Sequence, residues 1–299
     1  MSASPTTPPT GSGIAHIVEP HARDLGDGFI VARMLPALAK RTVGPFVFLD
    51  QFGPITFAPG KLADVRPHPH IGLATVTYMF AGEIMHRDTL GSAQIIRAHE
   101  VNWMTAGRGI AHSERTPAHL RNSARTQFGL QFWVGLPTQL EEMPPAFAHH
   151  GAEELPAIAE HRATLRVVVG SLMGRRSPVA TASETLLVDI ELGAGARFTV
   201  PCEHRERAIQ VVAGSVAVGG ATIAAQHLAV LEEGREVVLE AATPARCVLF
   251  GGDPLDGPRH LWWNFVSSSK ERIEKAKADW KEGRFPTIPG ETEFIPLPE

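Results

Sequence analysis

Residues 66–80 have the sequence RPHPHIGLATVTYMF, and this stretch decides which folds the chain can adopt. Its second half is rich in β-branched and aromatic residues, which favours a β-strand. Its first half places His68 and His70 two residues apart, and side chains two apart on extended backbone face the same side. Pro69 restricts His68 to extended backbone. The stretch therefore predicts a strand that presents two imidazoles on one face.

Similar strand signals recur along most of the chain. Between residues 29 and 147, short apolar stretches such as FVFLDQF and FGLQFWVGL alternate with turns that contain Gly, Pro or Asp. A second strand-rich region extends from about residue 164 to residue 252, and the polar residues between the two regions suggest a linker with one helical turn. This pattern predicts an all-β fold. Near the C-terminus, Ser268 and Glu271 fit a helix capping box, and Gly283 predicts the end of that helix.

The overall composition narrows the possible functions. The chain has 299 residues and a formal net charge of -4, and it lacks the long Lys/Arg runs typical of direct nucleic-acid binding. It has no run of about 18 apolar residues and no signal-peptide pattern at its N-terminus. Its two cysteines, Cys202 and Cys247, are too few for a disulfide framework. We therefore predict a cytoplasmic protein with reduced thiols and with neither a membrane nor a direct nucleic-acid partner.

A second pair of potential metal ligands, His112 and Glu114, follows a turn that contains Gly107 and Gly109. Two such pairs on facing strands would bring three imidazoles and one carboxylate to one point inside a barrel. These donors suit a divalent iron, nickel, copper, manganese or zinc ion. The ordinary alternative is that each histidine is a core or surface residue, since the chain has 14 of them. The second pair, placed after a glycine-rich turn, favours the metal site.

The ligand set also constrains the chemistry. Four protein ligands would close a tetrahedral zinc site, whereas an octahedral ion would keep two adjacent positions open for dioxygen or a chelating substrate. A divalent ion with three neutral imidazoles and one carboxylate keeps a single net positive charge, which favours an anionic oxygen donor such as an enolate or phenolate. Candidates for the pocket wall are Phe80, Trp103 and Met104, although plain barrel core explains each of them singly.

The two strand-rich regions resemble each other. TVTYMFAGEI (75–84) can be laid on AIQVVAGSV (208–216), and VNWMTAGRGIAHSE (101–114) on LAVLEEGREVVLEA (228–241). The four candidate ligands then align, in order, with Val200, Cys202, Leu239 and Ala241. The sequence therefore predicts one fold that occurs twice, with the metal site in the first copy alone.

The stretches RPHPHIGLATVTYMFAGEIMHRDTLG (66–91) and VNWMTAGRGIAHSERTP (101–117) resemble the pirin family of the cupin superfamily, and in particular its bacterial members. The resemblance implies a bicupin: two consecutive, jelly-roll-like cupin β-barrels packed face to face, with a C-terminal helix and a metal in the N-terminal barrel. It also implies that the ligands are the residues matching the family motif: His68, His70, His112 and Glu114. Family members are associated mainly with iron. Some open flavonols such as quercetin oxidatively, and others are non-enzymatic regulators.

Two positions depart from the family pattern. Ala74 stands where many pirins have a glutamate four residues after the second histidine, so Glu114 has to supply the carboxylate. Residues 98–100, AHE, replace a Pro-Gly-Asp turn that is common before the WMTAG stretch. The second departure concerns the mouth of the pocket rather than the ligands.

These observations divide the chain into five segments. They are a disordered lead-in (1–12), a metal-binding cupin domain (13–147), a linker (148–163), a cupin domain without metal ligands (164–262), and a C-terminal helix and tail (263–299).

The leading functional hypothesis is a quercetin 2,3-dioxygenase-like oxidoreductase that uses Fe(II), with nickel, copper, manganese or zinc as other options. Its small-molecule substrate would be a flavonol or a catechol, and no catalytic residue stands out beyond the metal site. The alternative is a non-enzymatic, iron-dependent redox-sensing regulator that acts through a protein partner. A metal-dependent isomerase or decarboxylase is a third option, because cupins host many reactions. We expect a monomer.

Overall fold

The computed structural model describes residues 8–25 and 29–298. Residues 1–7 of the predicted disordered lead-in therefore lie outside the described residues. Within the remainder of that segment, the Ser12 amide donates a hydrogen bond to the Pro9 carbonyl (3.1 Å), and Ser12 is 5% exposed. No helix in the described ranges is long and apolar enough to cross a membrane.

Most of the described chain is antiparallel β-structure, which confirms the predicted all-β fold. The strands of the first half are β1 (Ile14–Val18), β2 (His21–Asp24), β3 (Ile30–Leu35), β4 (Phe46–Phe57), β5 (Val65–His70), β6 (Leu73–Ala81), β7 (Ile84–Asp88), β8 (Ala93–Ile96), β9 (Val101–Thr105), β10 (Ile110–Arg115), β11 (Arg125–Gly135) and β12 (Ala146–His150).

The strands of the second half are β13 (Ala157–Glu160), β14 (Ala163–Val169), β15 (Ser171–Leu172), β16 (Arg175–Arg176), β17 (Thr185–Leu192), β18 (Ala196–Val200), β19 (Glu206–Ala213), β20 (Ser215–Val218), β21 (Ala221–Ala224), β22 (Leu228–Leu231), β23 (Val237–Ala241), β24 (Ala245–Gly252), β25 (His260–Trp262) and β26 (Phe265–Ser267). The described helices are two short 3-10 helices, Ala118–Leu120 and Thr138–Leu140, and one α-helix, α1 (Lys270–Lys281).

The strands build two barrels of the same design, each with a seven-stranded and a four-stranded sheet. In barrel 1, which carries the candidate ligands, the strand orders are β12-β9-β6-β11-β4-β3-β2 and β5-β10-β7-β8. In barrel 2 they are β1-β22-β19-β24-β17-β14-β13 and β18-β23-β20-β21. Position by position, β6 corresponds to β19, β5 to β18 and β10 to β23. The predicted internal repeat is therefore confirmed by the topology.

The repeat differs from the sequence alignment by two residues in one strand. His68 lies opposite His112, whereas Leu239 lies opposite Phe198. Phe198, rather than Val200, thus occupies the position of His68. Phe198, Val200 and Leu239 all belong to the hydrophobic core of barrel 2. Close-packed apolar side chains fill barrel 2 at the positions where barrel 1 has its histidines.

The compact units of the structure do not follow the sequential division predicted above. The boundary between them cuts through β3 and β4, and the residues from Leu255 onward cluster with the unit of barrel 1. The unit of barrel 2 comprises residues 8–23, Ala32–Gln51 and Glu153–Pro254, and the unit of barrel 1 comprises residues 52–152, residues 255–298 and the described part of 24–31.

Two local details also differ from the prediction. The polar segment after barrel 1 contains β12, paired with β9, and β13, paired with β14, instead of a helical turn. Helix α1 is capped one residue later than predicted, by Ser269, whose hydroxyl accepts a hydrogen bond from the Arg272 amide (3.2 Å). The Ser268 amide and hydroxyl instead donate to Glu141. Gly283, in left-handed backbone (φ +69°), follows the helix as predicted.

Candidate metal centre

The candidate ligands lie on two paired strands of the four-stranded sheet in barrel 1. His112 of β10 is directly opposite His68 of β5, and opposite residues in an antiparallel pair share a face of the sheet. The register shifts between His112 and Glu114, so that Glu114 lies opposite Val65. Such a β-bulge re-aims the side chains beside it. The sheet thus places the two pairs found in the sequence side by side.

Three histidines from these pairs form a compact buried cluster. The Nε2 atoms of His70 and His112 are 3.1 Å apart. The ring centroids of His68 and His112 are 4.4 Å apart, and potential ligand atoms of all three residues lie within 4.8 Å of one another. His68 is 7% exposed, and the other two are 1% exposed. The structure therefore brings three of the four candidate ligands together.

Hydrogen bonds fix the tautomer of two of these rings. Nδ1 of His68 lies 2.9 Å from the Arg66 carbonyl oxygen, and Nδ1 of His70 lies 3.1 Å from the Asn264 carbonyl oxygen. A carbonyl oxygen can only accept, so each Nδ1 carries the proton and donates it. Nε2 of each ring keeps a free lone pair, which is the form of imidazole that binds a metal.

Burial keeps the three imidazoles neutral. Desolvation lowers the pKa of His68 to about 4, against the opposing effect of its hydrogen bond to Arg66. Desolvation and repulsion from His68 lower the pKa of both His70 and His112 well below the ordinary value. The cluster therefore offers neutral nitrogen donors at neutral pH.

The cluster fits a divalent metal ion. Metal–nitrogen bonds of about 2.1 Å place two ligands at right angles about 3 Å apart. This matches the 3.1 Å between the Nε2 atoms of His70 and His112. The Nδ1 protons of His68 and His70 are held by backbone carbonyls, as the second nitrogen of a metal-bound histidine usually is.

Glu114 lies outside this group of mutually close donor atoms. Its carboxylate is 3.3 Å from the Thr77 hydroxyl, which in turn is 2.9 Å from Oε1 of Gln131. Burial raises the pKa of Glu114, while the nearby His86 and the hydrogen bond from Thr77 oppose that shift. Thr77 and Gln131 thus accompany the carboxylate on the inner face of the barrel, although Glu114 is not within 4.8 Å of all three histidines.

The position of Met104 follows from the strand register. Thr77 marks the inner face of β6, because its hydroxyl lies beside Glu114. Thr75 is two residues away and shares this face, and Met104 is directly opposite Thr75 on β9. Met104 therefore lies on the same face as the histidine cluster.

Phe80 and Trp103, the other two candidates for the pocket wall, lie on the opposite face of that sheet. Phe80 is an odd number of residues from Thr77, and Trp103 is opposite Val76, the neighbour of Thr77. The ring of Phe80 packs on Phe128 with centroids 4.9 Å apart. Amino-acid composition does not show whether the odd- or the even-numbered residues of a strand face the interior of the barrel. The register of the strand decides which face an aromatic residue takes.

Two aromatic residues not predicted from the sequence lie at the cluster. The Trp133 ring is 5.2 Å from the His70 ring, edge to face. The Phe147 ring stacks on His86 with centroids 4.4 Å apart and an interplanar angle of 15°. Both come from strands far from the histidines in sequence, so no local pattern linked them to the site.

His86 and Asp88 are also part of the site, although sequence reasoning did not assign them to it. His86 is 3% exposed, and its Nδ1 lies 3.3 Å from Nδ1 of His112. Its Nε2 lies 2.9 Å from the Asp88 carboxylate. Burial raises the pKa of Asp88, but hydrogen bonds from His86 and Ser92 outweigh burial and bring the pKa below its ordinary value. The sequence signal that could have identified His86 and Asp88 is their spacing of two residues, which is also the spacing within the two ligand pairs.

A cavity of about 290 Å³ lies behind the strands that carry the histidines. Pro67 and Ala111 line it, and each is one residue from a histidine, so they face away from His68 and His112. Its remaining lining comes from residues 280–294. The cavity is therefore separate from the histidine cluster.

Two antiparallel barrels whose strand orders match except at one edge strand, β12 in barrel 1 and β1 in barrel 2, define a two-domain cupin protein, and one of the barrels has a buried histidine cluster. Family models match both halves: Pirin over residues 28–134 and the Pirin C-terminal cupin domain over residues 187–286. A pirin-like protein of Caulobacter vibrioides is 49% identical over 288 residues, which cover 95% of this chain and 99% of the relative. The chain belongs to the pirin family.

Solved structures of relatives agree with this assignment. The crystal structure of quercetin 2,3-dioxygenase from Acinetobacter baumannii superposes with a TM-score of 0.89 at 34% identity, covering 95% of both chains. A bacterial pirin from Escherichia coli, solved in complex with nickel(II), has a TM-score of 0.63 at 18% identity and covers 80% of this chain and 99% of that one. The second similarity concerns the fold alone.

Proposed function

We propose that the protein is a metal-dependent dioxygenase with Fe(II) as its metal, acting on flavonols such as quercetin or on catechols. The observation that carries this proposal is the convergence of three buried, neutral imidazoles on the inner face of barrel 1. The relative of 34% identity whose structure is that of a quercetin 2,3-dioxygenase supports the choice of reaction.

In this proposal His68, His70 and His112 hold the metal, and Glu114 is the fourth ligand. Carbonyls of Arg66 and Asn264 keep the Nδ1 protons of two histidines away from the centre. When bound, Fe(II) supplies a Lewis acid with open positions and an electron donor for dioxygen chemistry. Glu114 is now held by the Thr77 hydroxyl and would have to leave it to join the three histidines.

The same arrangement favours a particular class of substrate. Three neutral imidazoles and one carboxylate leave a divalent ion with net positive charge, so an anionic enolate or phenolate oxygen binds best. Trp133, beside His70, and Met104 provide apolar surface on the inner face for a flat aromatic ring.

Metal analysis and oxygen uptake together test this function. The purified chain is reconstituted with Fe(II) without oxygen, its metal content is measured by mass spectrometry, and oxygen consumption is followed with a panel of flavonols and catechols. We expect one metal ion per chain, because apolar residues fill barrel 2 at the matching positions. His70→Ala and Glu114→Ala should each lose most of the metal and all oxygen uptake.

His119→Ala, which removes an exposed histidine, is the matched control and should retain full metal content. Full occupancy in both His70→Ala and Glu114→Ala would show that the ligand assignment is wrong. An iron-loaded protein that consumes no oxygen with any substrate would refute the dioxygenase. That result would leave the redox-sensing regulator, acting through a protein partner, as the better explanation.

A further inference from the structure

A line of three buried polar side chains leads away from the proposed metal centre. Nδ1 of His112 faces Nδ1 of His86 at 3.3 Å, and Nε2 of His86 faces Oδ2 of Asp88 at 2.9 Å. The exposed fractions are 1% for His112, 3% for His86 and none for Asp88. Such fully buried polar groups are costly unless each has a partner, so this line has a definite hydrogen-bond order.

The carboxylate at the far end is held in one orientation. Oδ1 of Asp88 accepts hydrogen bonds from the amides of Leu90 (2.9 Å) and Ser92 (3.0 Å), which leaves Oδ2 for His86. The His86 ring is held in its plane by the stacked ring of Phe147. Neither end of the His86–Asp88 contact is therefore free to rotate.

This orientation determines where the protons lie. A carboxylate oxygen can only accept, so Nε2 of His86 carries the proton. A metal at Nε2 of His112 requires the proton of that ring to be on Nδ1, and the nitrogen in place to accept a hydrogen bond from it is Nδ1 of His86, at 3.3 Å. The remaining nitrogen of His112, Nε2, is the atom that lies 3.1 Å from Nε2 of His70, and it is left free to bind a metal.

We propose that Asp88 and His86 are positioning residues that select the metal-binding tautomer of His112. This inference rests on the proposed metal site. His112 lacks the backbone carbonyl that fixes Nδ1 in His68 and His70, and the Asp88–His86 pair takes over that task. In barrel 2 the corresponding register positions opposite Leu239 and Ala241 carry aliphatic side chains, Val218 and Val216.

Asp88→Asn is the informative substitution. Its amide oxygen keeps the two backbone donors of Leu90 and Ser92, so its NH₂ group faces Nε2 of His86. That nitrogen then becomes an acceptor and moves the His86 proton to Nδ1, where it opposes the Nδ1 proton of His112. The tautomer of His112 that binds a metal is thereby disfavoured, while the turn and the fold are preserved.

The test measures the affinity of the full chain for Co(II), a probe whose visible spectrum reports ligand geometry, by competition with a chelator. Asp88→Asn should weaken binding by about 10- to 100-fold, the usual range for partners of metal ligands, and should alter the visible bands. His86→Leu should do the same. His86→Asn, whose Oδ1 replaces the accepting Nδ1, should stay within about threefold of wild type, well short of that range.

The decisive measurement is Asp88→Asn in the His86→Asn background, where no histidine tautomer remains to be selected. We expect no further loss of Co(II) affinity there. An equal loss in both backgrounds, or no loss with Asp88→Asn alone, would overturn the positioning role. The two-background comparison decides the matter even if His86→Leu does not fold. Failure of the wild-type chain to bind Co(II) would instead refute the metal site itself.

Discussion

The two cysteines differ in reactivity because one of them is buried and the other is exposed. Cys247 lies in the core of barrel 2 with no exposed surface, and burial raises the pKa of its thiol to about 12. Cys202 is exposed. Because the thiolate is the reactive form of cysteine, Cys247 is inert at neutral pH, and only Cys202 is open to reagents or oxidants.

A thiol reagent at pH 8 should therefore modify one cysteine per chain in the native protein and two in denaturant. The count is read from the absorbance of the released chromophore. Cys202→Ser should remove the native reaction entirely, while Cys247→Ser should leave it unchanged. Rapid labelling of native Cys202→Ser would show that the core around Cys247 opens far more readily than its packing indicates.

The residues of the candidate site could be predicted from the sequence only where their spacing was local. His68, His70 and His112 were found because a strand turns side chains two apart to the same face. Trp133 and Asn264 could not be found in this way, because long-range pairing brings them to His70. Phe80 and Trp103 were predicted as pocket wall, but they face the other way because strand parity depends on register.

The hairpin of β25 and β26 packs against the turn that follows His70. The Val266 amide donates a hydrogen bond to the Ile71 carbonyl (3.2 Å), and the Asn264 carbonyl accepts one from Nδ1 of His70. Gly72, in left-handed backbone (φ +67°), allows this approach, since a Cβ there would lie 2.0 Å from the Val266 carbonyl oxygen. The hairpin thus fixes both the turn and the orientation of one proposed ligand.

Gly72→Ala should destabilise the protein by about 3 kcal/mol or more, because the backbone of the hairpin has to move. It should also weaken metal binding, since the Asn264 carbonyl moves with the hairpin. Gly91→Ala is the matched control: its φ is also positive (+87°), but nothing lies within 4 Å of the added Cβ. The Gly91→Ala control should lower the free energy of unfolding by about 1 kcal/mol. Urea unfolding measures the free energy of unfolding of both variants. An equal decrease in the two would contradict the close approach of Gly72 to the Val266 carbonyl.

The secondary structure elements differed in how far sequence could predict them. Helix α1 was predictable because its cap and its terminal glycine are local signals, and the prediction erred by one serine. Strands β12 and β13 were not predicted, because their polar, alanine-rich sequences form strands only through pairing with β9 and β14. Tertiary pairing overrides weak local preference in such segments.

Residues 291–295 of the C-terminal tail contact strands β5 and β10 of barrel 1. Arg115 on β10 pairs with Glu291 (2.6 Å), and the Ser113 hydroxyl also donates to Glu291 (2.7 Å). The Ile295 amide donates to the Pro67 carbonyl (2.8 Å). The tail is therefore attached to both strands that carry the histidines. Burial raises the pKa of Glu291, but its bonds with Arg115 and Ser113 outweigh burial and bring the pKa below the ordinary value.

Glu291→Gln should lower the free energy of unfolding at pH 7 by about 1–2 kcal/mol, because a partly buried, charge-assisted contact is lost. A carboxylate with a lowered pKa stabilises the fold above its ordinary pKa of 4.5, and this contribution disappears as the pH falls. The difference between wild type and variant should therefore shrink between pH 7 and pH values below about 4.5.

Urea unfolding at pH 7 and at about pH 4 measures this difference. Glu274→Gln, which alters an exposed pair with Lys277, is the control and should change stability by less than about 0.5 kcal/mol at either pH. A Glu291→Gln effect that is equally large at both pH values would show that the contact does not depend on the charge of the carboxylate.

The repeat of the two barrels was predictable because glycine turns and strand patterns recur, even though the alignment slipped by two residues. The division into compact units was not predictable from the sequence, because β3 and β4 each contribute residues to both units. In the long strand β4, Phe46–Phe57, the boundary lies between Gln51 and Phe52, inside a single continuous strand.

The hydrogen bond from His70 to Asn264 spans 194 residues of chain. During synthesis the chain emerges from its N-terminus, so all three histidines leave the ribosome long before residue 264 is added. A nascent chain therefore has its imidazoles without the carbonyl that holds the His70 proton in place. The orientation of one proposed ligand is therefore completed only after residue 264 has left the ribosome, 194 residues after His70.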